Sequence, residues 1–474
     1  MTSVRTRFAP SPTGFLHVGG IRTALFAFLV ARQAEGAFVL RFEDTDKKRE
    51  VAGSAEHLIS SLKAIGIEYD EGPDIGGPYA PYIQSQRLDR YKAWAQKLID
   101  QDRAYADPYT PEQIQAFRDE ATANKRAFRY RDYRPENPPA WDGTQPLRFK
   151  AEPKSYTYHD EVMGDITTSP EAVDDFILIK SDGYPTYNFS HIIDDTEMEI
   201  THVIRGQEFI SSMPNYLALY EALSLERPIF AHAPHILNEQ GNKKLGKRDG
   251  AKDVLDYIRD GYLPETMMSF IATMGWNDGT EQEVFTKQEL IDKFSLDRVQ
   301  RSGARFDEKR LLWMNGHFIR ELSLDELADR IEFFWPESAK KASEQHKKQV
   351  LALAQDRLKT FKDLPSLTSY FFEEPSVDMS LITDNKQLKK LSDTERNDLL
   401  AAVKNSLEAL DTWTPESIQD CLNGLLETTG QKPGTLFSLI RIVTTWAPFS
   451  PQLNDTLALL GKDTTLARIT KAIS

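Results

Sequence analysis

The first 50 residues limit the possible folds most strongly, because their pattern reads as strand, loop, helix and strand. Residues 4–8 form a short extended run, and residues 9–14 are too rich in proline and glycine for regular structure. Apolar residues then recur at helical spacing between Gly20 and Gly36, and residues 38–42 read as a buried strand. This order predicts an α/β fold with a parallel sheet, whose ligand binds at the carboxyl ends of the strands.

The middle of the chain has a different texture, from about residue 78 to residue 180. Thr110 and Gln113 are spaced as a capping box at the start of one expected helix, and residues 135–146 are rich in proline. Short strand-like runs follow, and the sheet resumes at residues 200–204. We interpret the middle segment as an insertion that interrupts the parallel sheet.

The last third of the chain shows no alternating strand pattern after about residue 323. Capping signals recur instead, at Ser323 with Glu326 and at Ser392 with Glu395, each before apolar residues at helical spacing. We therefore expect an all-helical C-terminal region. The sheet domain is expected in two halves, residues 1–78 and 191–237, with the insertion at residues 79–190 between them. A connecting helical domain at residues 238–322 and the helical C-terminal region at residues 323–474 are expected to follow.

The composition excludes several classes of protein. The 474 residues include 58 Lys and Arg against 72 Asp and Glu, a net charge of −14, and the length leaves room for about three domains. The longest apolar run, residues 24–31, is too short to cross a membrane, and no secretion signal follows the N-terminus. A single cysteine, Cys421, excludes an internal disulfide framework. We expect a soluble, cytoplasmic protein.

Two loops carry candidate chemistry. Residues 10–20 lie between the first strand and the first helix, where unpaired N–H groups and glycines suit a phosphate and His17 could donate to a phosphoryl oxygen. Residues 242–250 contain four basic residues on a glycine-flanked loop that could fold over a polyphosphate. Each loop alone also fits a simpler interpretation: a helix-capping loop with an incidental histidine, and a solvated surface hairpin.

Together the two loops resemble the two signatures of class I aminoacyl-tRNA synthetases. Longer strings between residues 7 and 316 are more specific. These strings are Arg-Phe-Ala-Pro-Ser-Pro-Thr-Gly-x-Leu-His-Val-Gly-Gly, Arg-Phe-Glu-Asp-Thr-Asp, Asp-Glu-Gly-Pro, Gly-Tyr-Pro-Thr-Tyr-Asn, Val-Ile-Arg-Gly-Gln-Glu and Trp-Met-Asn-Gly. They are similar to the motifs of bacterial glutamyl-tRNA synthetases. The resemblance implies a Rossmann-type catalytic domain with an inserted α/β acceptor-binding domain, followed by an all-helical anticodon-binding region.

The resemblance also implies roles in binding glutamate. Arg7 would bind the γ-carboxylate, because a guanidinium matches a carboxylate in two places and would select glutamate over neutral glutamine. Arg205 would meet the α-carboxylate and Glu43 would hold the α-ammonium. The same pocket would be lined by Ala9, Ser11 and Tyr187. Without the motifs, an arginine near a sheet edge is more often a surface ion-pair partner.

For catalysis, the resemblance implies that His17 faces the α-phosphate of ATP while Lys244 and Lys247 stabilise the departing pyrophosphate. The glutamate α-carboxylate would attack the α-phosphorus in line, and the 2′-hydroxyl of the tRNA terminal adenosine would then take the glutamyl group. Mg²⁺ would accompany ATP on its phosphates. The implied ATP-binding residues are Ser11, His17, Gly19, Gly20, Lys244, Lys247 and Arg248.

Two departures from the family pattern affect these expectations. The family usually has serine where this chain has Gly246, so we expect altered loop dynamics rather than lost activity. Some relatives bind zinc through a Cys/His cluster in the inserted domain, but residues 101–134 contain neither cysteine nor histidine. We expect no bound zinc and no other resident metal.

A tRNA partner must be reconciled with the acidic net charge, and local charge sets the phosphate contacts. Residues 340–362 contain two acids and seven basic residues, although a solvated helix face is an equally good interpretation. The basic residues are Lys340, Lys341, Lys347, Lys348, Arg357, Lys359 and Lys362. By resemblance the helices after residue 320 read the anticodon of tRNA(Glu), with Arg357 as the candidate base contact.

Competing functions remain. The sequence leaves open whether tRNA(Gln) is also charged, and we expect a monomer. A short glutamyl-queuosine enzyme would lack the C-terminal region, and a glutaminyl enzyme would read the anticodon with β-barrels that the sequence does not predict. A nucleotidylyltransferase would be far shorter. A non-catalytic tRNA-binding paralogue would have lost His17, Lys247 or Arg7, and all three are present.

Overall fold

A computed structural model of the chain describes residues 3–16, 18–246 and 252–473. Backbone contacts divide the chain into two compact units. The first unit comprises Met1–Ile258 and Met267–Glu308, and the second comprises Arg259–Thr266 and Lys309–Ser474. Every strand in the described residues belongs to the first unit.

The strands are short, and the parallel arrangement of the largest sheet confirms the predicted α/β class. Their bounds are β1 Arg5–Phe8, β2 Ala37–Leu40, β3 Ala104–Ala106, β4 Leu147–Phe149, β5 Thr157–Asp160, β6 Gly164–Thr167, β7 Ile177–Ile179, β8 His202–Gly206, β9 Ile229–Ala233, β10 Ile236–Leu237 and β11 Ala304–Arg305.

Helices alternate with strands in the first part of the chain and follow one another in the last part. The earlier ones are α1 Val18–Gln33, α2 Ser54–Ala64, α3 Leu88–Asp100, α4 Pro111–Ala123, α5 Tyr187–Glu197, α6 Met213–Ala222, α7 Val254–Arg259, α8 Pro264–Ala272 and α9 Lys287–Lys293. The later ones are α10 Glu308–Glu321, α11 Leu324–Ile331, α12 Glu344–Ala354, α13 Leu364–Thr368, α14 Ser380–Thr383, α15 Asp393–Glu408, α16 Pro415–Thr429, α17 Pro433–Thr445, α18 Leu453–Leu460 and α19 Lys462–Ile473.

The main sheet has six strands in the order β2-β1-β8-β9-β5-β6. All neighbours are parallel except β6, which pairs antiparallel with β5 at one edge. The carboxyl ends of β1, β8 and β9 therefore meet at one edge of the sheet. That edge is where the sequence predicts the ligand.

The middle segment contributes to two sheets. Strands β3, β4 and β7 form a separate antiparallel sheet of three strands. The hairpin of β5 and β6 instead extends the main sheet, because Asp160 pairs in parallel with Phe230 of β9. A hairpin in that place gives β9 a hydrogen-bonding partner that a sheet edge would lack.

Helix α1 explains why the chain can open with this βαβ unit. It is buried on most of its surface, as expected for an apolar helix packed against a sheet, and Thr6 of β1 donates a hydrogen bond to the carbonyl of Ala27 at 2.7 Å. Gly36 makes the return to β2 possible, since a Cβ there would lie 2.1 Å from the Val4 carbonyl oxygen. Only glycine permits that approach.

The predicted capping boxes are confirmed. Thr110 caps α4 with Gln113 at the third helical position, and the same pairing joins Ser323 to Glu326 at α11 and Ser392 to Glu395 at α15. Between residue 306 and residue 473 the structure contains helices and no strand, which confirms the all-helical C-terminal region.

The second unit contains two apolar clusters. One forms around Leu263, Ile319 and Leu351, and the other joins helices α15 to α19. Asn315, from the Trp-Met-Asn-Gly string, is fully buried beside the first cluster, where its Oδ1 accepts from the Leu263 N–H at 2.9 Å and its Nδ2 donates to the Lys359 carbonyl at 2.6 Å. That string therefore has a structural role within this unit.

Among the described helices, none is both long enough and apolar enough to span a membrane.

Candidate functional site

A pocket of about 580 Å³ lies at the carboxyl ends of β1, β8 and β9. All the predicted glutamate-binding residues line it, and so do four of the predicted ATP-binding residues, of which Ser11 belongs to both sets. These are Arg7, Ala9, Ser11, Glu43, Tyr187 and Arg205, together with Gly19, Gly20 and Lys244. The predicted catalytic and ATP-binding residues His17, Lys247 and Arg248 lie outside the described residues.

Arg7 is held in place by a carboxylate that the sequence analysis missed. Its Nε donates to Asp195 Oδ1 at 3.0 Å, and its Nη1 donates to the Ile204 carbonyl at 3.3 Å. Arg41 donates to the same Asp195 oxygen at 2.8 Å. Burial raises the pKa of Asp195, but the charges of Arg7 and Arg41 outweigh it and hold the pKa well below its usual range. Asp195 therefore stays ionised and fixes both arginines.

Glu43 presents one unused oxygen. Its Oε1 accepts from Arg41 Nη2 at 3.0 Å, whereas its buried Oε2 has no hydrogen-bond partner among the described residues. Burial raises the pKa of Glu43 to about 7, against the opposing effect of the Arg41 and Arg7 charges. A ligand ammonium at Oε2 would supply the missing donor and favour the ionised form.

Arg205 has neutral partners only, in the part of the chain that the structure describes. Its Nε donates to His232 Nε2 at 3.1 Å, and its Nη2 lies 2.9 Å from Met213 Sδ. His191 Nε2 lies 3.4 Å from Nη1. Arg205 is 4% exposed, and no ion pair to a described carboxylate balances its charge. A buried cation held this way favours binding of a carboxylate.

Tyr187 forms one wall of the pocket. Its ring stacks on His191 with centroids 4.6 Å apart and an interplanar angle of 11°, and Phe209 lies 5.1 Å away on the same side of the site. Burial and the charge of Arg205 lower the pKa of His191 to about 3, so that imidazole is neutral. Burial also raises the pKa of Tyr187, which keeps its hydroxyl protonated as a hydrogen-bond donor.

Comparisons with known proteins assign the family. A model described as tRNA synthetases class I (E and Q), catalytic domain, matches residues 3–313, and one described as Anticodon binding domain matches residues 324–473. The chain belongs to the class I tRNA synthetases of the E and Q type. The resemblance noted in the sequence is confirmed.

Individual relatives of this synthetase cover nearly the whole chain. A "Glutamate--tRNA ligase" of Clostridium botulinum (strain Hall) is 40% identical over 479 residues, covering 98% of this chain and 97% of the relative. One of Chlorobium chlorochromatii (strain CaD3) is 39% identical over 498 residues, covering 99% and 98%. A crystal structure of a glutamate tRNA ligase from Elizabethkingia meningosepticum, in complex with its amino acid, has a TM-score of 0.86 at 33% identity and covers 99% of both chains.

The basic loop of the synthetase begins against the pocket. Leu237 of β10 forms a bridge with Lys244, and the Leu245 N–H donates to the Ile236 carbonyl at 2.8 Å. Lys244 Nζ lies 3.4 Å from Glu208 Oε1, a carboxylate that also lines the pocket. Glu208 belongs to a string noted in the sequence, but its part in holding Lys244 was not predicted.

Metal sites are not evident among the described residues of this synthetase. No group of three or more His, Cys, Asp or Glu side chains is placed to hold an ion in residues 3–16, 18–246 and 252–473. The expectation that the chain binds no zinc stays a prediction.

The basic stretch at residues 340–362 is less available to tRNA than its composition indicates. Four of its seven cations form ion pairs with carboxylates among the described residues, and most of those carboxylates lie outside the stretch. The pairs are Lys340–Glu337 at 2.7 Å, Lys347–Glu344 at 3.0 Å, Lys348–Asp325 at 2.5 Å and Lys362–Asp260. Arg357 is exposed, and burial together with the charge of Arg357 lowers the pKa of Arg441. A tRNA contact of Arg357 stays a prediction.

Several residues at or next to the synthetase pocket were not predicted. They differ in whether the sequence contains a pattern that could have identified them. Asp195 follows another acid and the apolar pair Ile192 and Ile193 in α5, and an acid buried in such a position indicates a charged partner. Asp160 and His232 carry no such signal, because they meet only after distant strands pair.

Proposed function

We propose that the chain is a glutamate–tRNA ligase, which activates L-glutamate with ATP and transfers it to the 3′-terminal adenosine of tRNA(Glu), releasing AMP and pyrophosphate. The observation that carries this proposal is the burial of Arg7, Arg205 and Glu43 around one pocket. Two cations and one carboxylate complement the two carboxylates and the ammonium of glutamate. Glutamine would offer Arg7 a neutral amide, whose NH2 group only donates, in place of a carboxylate, which disfavours it.

The relatives support the same substrate. The two relatives compared are named glutamate–tRNA ligases and match this chain over almost their whole length. The solved relative is described as a complex with its amino acid. In the arrangement we propose, Arg7 binds the γ-carboxylate, Arg205 binds the α-carboxylate and Glu43 Oε2 accepts from the α-ammonium. Ala9, Ser11 and Tyr187 enclose the side chain.

Catalysis in this proposal depends on position and charge rather than on a covalent enzyme intermediate. The α-carboxylate held by Arg205 attacks the α-phosphorus of ATP, and the bond to pyrophosphate breaks. Lys244 starts beside Glu208, and moving to the phosphates would place its charge where negative charge develops. The motif supports His17, Lys247 and Arg248 as its partners there, with Ser11, Gly19 and Gly20 close to the nucleotide.

Mg²⁺ enters this scheme with ATP, since the ion prefers phosphate oxygens and water over an all-protein cage. The described residues offer no cluster of three ligands that would hold it without the nucleotide.

The 2′-hydroxyl of the tRNA adenosine then attacks the acyl carbon of glutamyl-adenylate, and AMP leaves.

The domain limits inferred from the sequence remain part of the proposal. The match of an anticodon-binding model to residues 324–473 supports the last boundary at residue 323. We assign residues 79–190 to the acceptor stem and the C-terminal helices to the anticodon, and we place the enzyme in the cytoplasm as a monomer.

One experiment tests the activity directly. The purified chain is incubated with ATP, Mg²⁺, tRNA(Glu) and radiolabelled glutamate or glutamine, and acid-precipitable label is counted. We expect glutamate to be attached and glutamine to be excluded. Label from glutamine, or none from glutamate, would contradict the proposal. A parallel reaction with tRNA(Gln) decides whether the enzyme also charges that tRNA.

A further inference from the structure

Three buried side chains form a row across neighbouring strands of the main sheet. Arg205 on β8 is the register partner of His232 on β9, and Asp160 closes β5 beside β9. We propose that Asp160 and His232 are positioning residues, which hold the Arg205 guanidinium in a fixed orientation for the substrate α-carboxylate. The proposal rests on the proposed function, because it concerns how the same pocket recognises glutamate.

The hydrogen bonds in this row determine where the His232 hydrogen lies. An arginine Nε always carries a hydrogen, so at 3.1 Å His232 Nε2 must accept from Arg205 Nε. The hydrogen of the neutral imidazole is then on Nδ1, which donates to Asp160 Oδ2 at 2.5 Å. Burial lowers the pKa of His232, so the ring stays neutral beside the guanidinium.

Backbone contacts fix the orientation of Asp160 in turn. Its Oδ1 accepts from the N–H groups of Val162 at 3.1 Å, Met163 at 2.9 Å and His232 at 3.2 Å. Only Oδ2 is left to face the imidazole. Asp160 and His232 are both fully buried, so water does not compete for these contacts.

Charge explains why an imidazole is useful in this position. A carboxylate in direct contact with Arg205 would neutralise the guanidinium and compete with the substrate. A neutral imidazole accepts a hydrogen bond while leaving the positive charge for the ligand, and the carboxylate that fixes the imidazole stays one residue further away. The second imidazole, His191, acts in the same way. Its Nδ1 donates to the Tyr187 carbonyl at 2.6 Å, so Nε2 carries no hydrogen and can accept from Arg205.

The substitution Asp160→Asn tests this arrangement sharply. The three backbone N–H groups would keep the amide oxygen in the place of Oδ1, so the amide nitrogen would face His232. An amide nitrogen only donates, so His232 Nδ1 would have to accept and the ring hydrogen would move to Nε2. That hydrogen would then point at the Arg205 Nε–H. Two donors would meet, and the guanidinium would leave its position.

Glutamate kinetics provide the first measurement, in charging reactions that contain tRNA(Glu). Asp160→Asn should raise the KM for glutamate about tenfold or more while leaving the KM for ATP unchanged. A phenylalanine at position 232 has no ring nitrogen, so it has no hydrogen to relocate when residue 160 changes. In the His232→Phe background, Asp160→Asn should therefore add little. An equal loss in both backgrounds would mean that Asp160 acts through packing alone, and the proposal would be overturned.

A matched control lies on the same hairpin. His159 and Asp165 form an exposed pair at 2.7 Å across β5 and β6. Asp165→Asn removes the same kind of contact away from the pocket and should leave both KM values unchanged. If Asp160→Asn does not fold, His232→Phe replaces it: loss of the acceptor should raise the glutamate KM, and His232→Gln should restore most of it. Equal kinetics of those two variants would refute the role.

The hydrogen position can also be measured without any activity. In ¹⁵N spectra of the chain labelled in its histidine rings, the signal that His232→Gln removes belongs to His232. It should show hydrogen on Nδ1 in the unchanged chain and on Nε2 in Asp160→Asn. The reverse assignment in the unchanged chain would overturn the proposal. If the chain charges no glutamate at all, the proposed function fails while this spectrum still decides the arrangement of the row.

Discussion

The arginines of the pocket differ in what balances their charge. Arg7 and Arg41 share one oxygen of the ionised Asp195, whereas Arg205 is held by imidazole and sulfur. A buried ion pair offers a ligand less free charge than a cation with neutral partners. Arg205 should therefore supply most of the attraction for a carboxylate, while Arg7 should contribute more to the choice between a carboxylate and an amide.

Replacing Arg7 should damage glutamate recognition with little damage to the fold. In Arg7→Ala, Asp195 keeps its contact with Arg41, so no acid is left buried without a partner. The KM for glutamate should rise by about 100-fold, because the γ-carboxylate loses a charged donor. Charging kinetics measure this, with Arg32→Ala as control, since Arg32 pairs with Asp70 at 2.7 Å away from the pocket. A folded Arg7→Ala enzyme with ordinary glutamate kinetics would remove Arg7 from the site.

Glutamate binding should depend on pH through Glu43. Its pKa is raised to about 7, so the carboxyl is protonated below that pH and must lose its hydrogen to accept an ammonium. The KM for glutamate should therefore rise as the pH falls from 8 to 6, by up to about tenfold for each pH unit below 7. The KM measured across this range tests the sign.

The variant Glu43→Gln serves as the comparison for that pH series. It should bind glutamate weakly at every pH and lose the dependence between pH 6 and 8. A variant that keeps the slope would assign the titration to another group.

In the unliganded chain the raised pKa of Glu43 also means that the free energy of unfolding decreases as the pH rises from about 4.5 to about 7, because the folded state holds the hydrogen more tightly.

At the scale of elements, the basic loop is tied to the sheet at its first residues. Lys244 forms a bridge with β10 and an ion pair with Glu208. Lys244→Ala should slow adenylate formation by about 100-fold with little change in the KM for glutamate, because its charge acts mainly in the transition state. Pyrophosphate exchange with tRNA present measures this step.

The control for this loop is another lysine in an ion pair. Lys293 contacts Asp278 at 3.1 Å, and Lys293→Ala should exchange pyrophosphate normally. Gly246→Ser should also be tolerated, since it restores the residue that the family usually has. Normal exchange by Lys244→Ala would exclude this lysine from catalysis.

The elements themselves could be predicted well, and their contacts could not. Strand β1, helix α1 and the capped helices follow from local patterns of apolar residues, glycine and capping side chains. The motifs placed Arg7 and Arg205 in one pocket. The partners Asp195, His232 and Asp160 were missed because each contact joins residues far apart in the chain, and strand order is not encoded locally. The same reason hid Asp325 and Asp260, which pair with Lys348 and Lys362 of the basic stretch.

At the scale of the whole molecule, tRNA recognition should depend on which cations the protein has already paired. Arg357→Gln should weaken charging of tRNA(Glu), and a base contact would cost about 1–3 kcal/mol for one anticodon base and change the ratio of tRNA(Glu) to tRNA(Gln) charging. Lys340→Gln should have little effect, because Lys340 already pairs with Glu337. Charging kinetics for both tRNAs measure the difference.

Salt dependence separates the two kinds of contact. If Arg357 binds only phosphate, both tRNAs should weaken equally and the dependence of affinity on salt should become shallower. A larger effect from Lys340→Gln than from Arg357→Gln would show that the ion pairs open when tRNA binds.

Strand β5 has a consequence for anyone who wishes to exchange parts between such enzymes. The middle segment supplies the separate sheet of β3, β4 and β7, and it also supplies Asp160, which contacts His232 next to Arg205 of the proposed glutamate pocket. A graft that replaces residues 79–190 as one cassette would exchange Asp160 and Tyr187 together with the surface proposed to face tRNA. A cleaner transplant would leave β5 and β6 with the recipient and exchange only the chain around the three-stranded sheet. The limits of an exchangeable part in this protein therefore follow the pairing of β5 with β9 in the main sheet, not the limits of the inserted segment in the sequence.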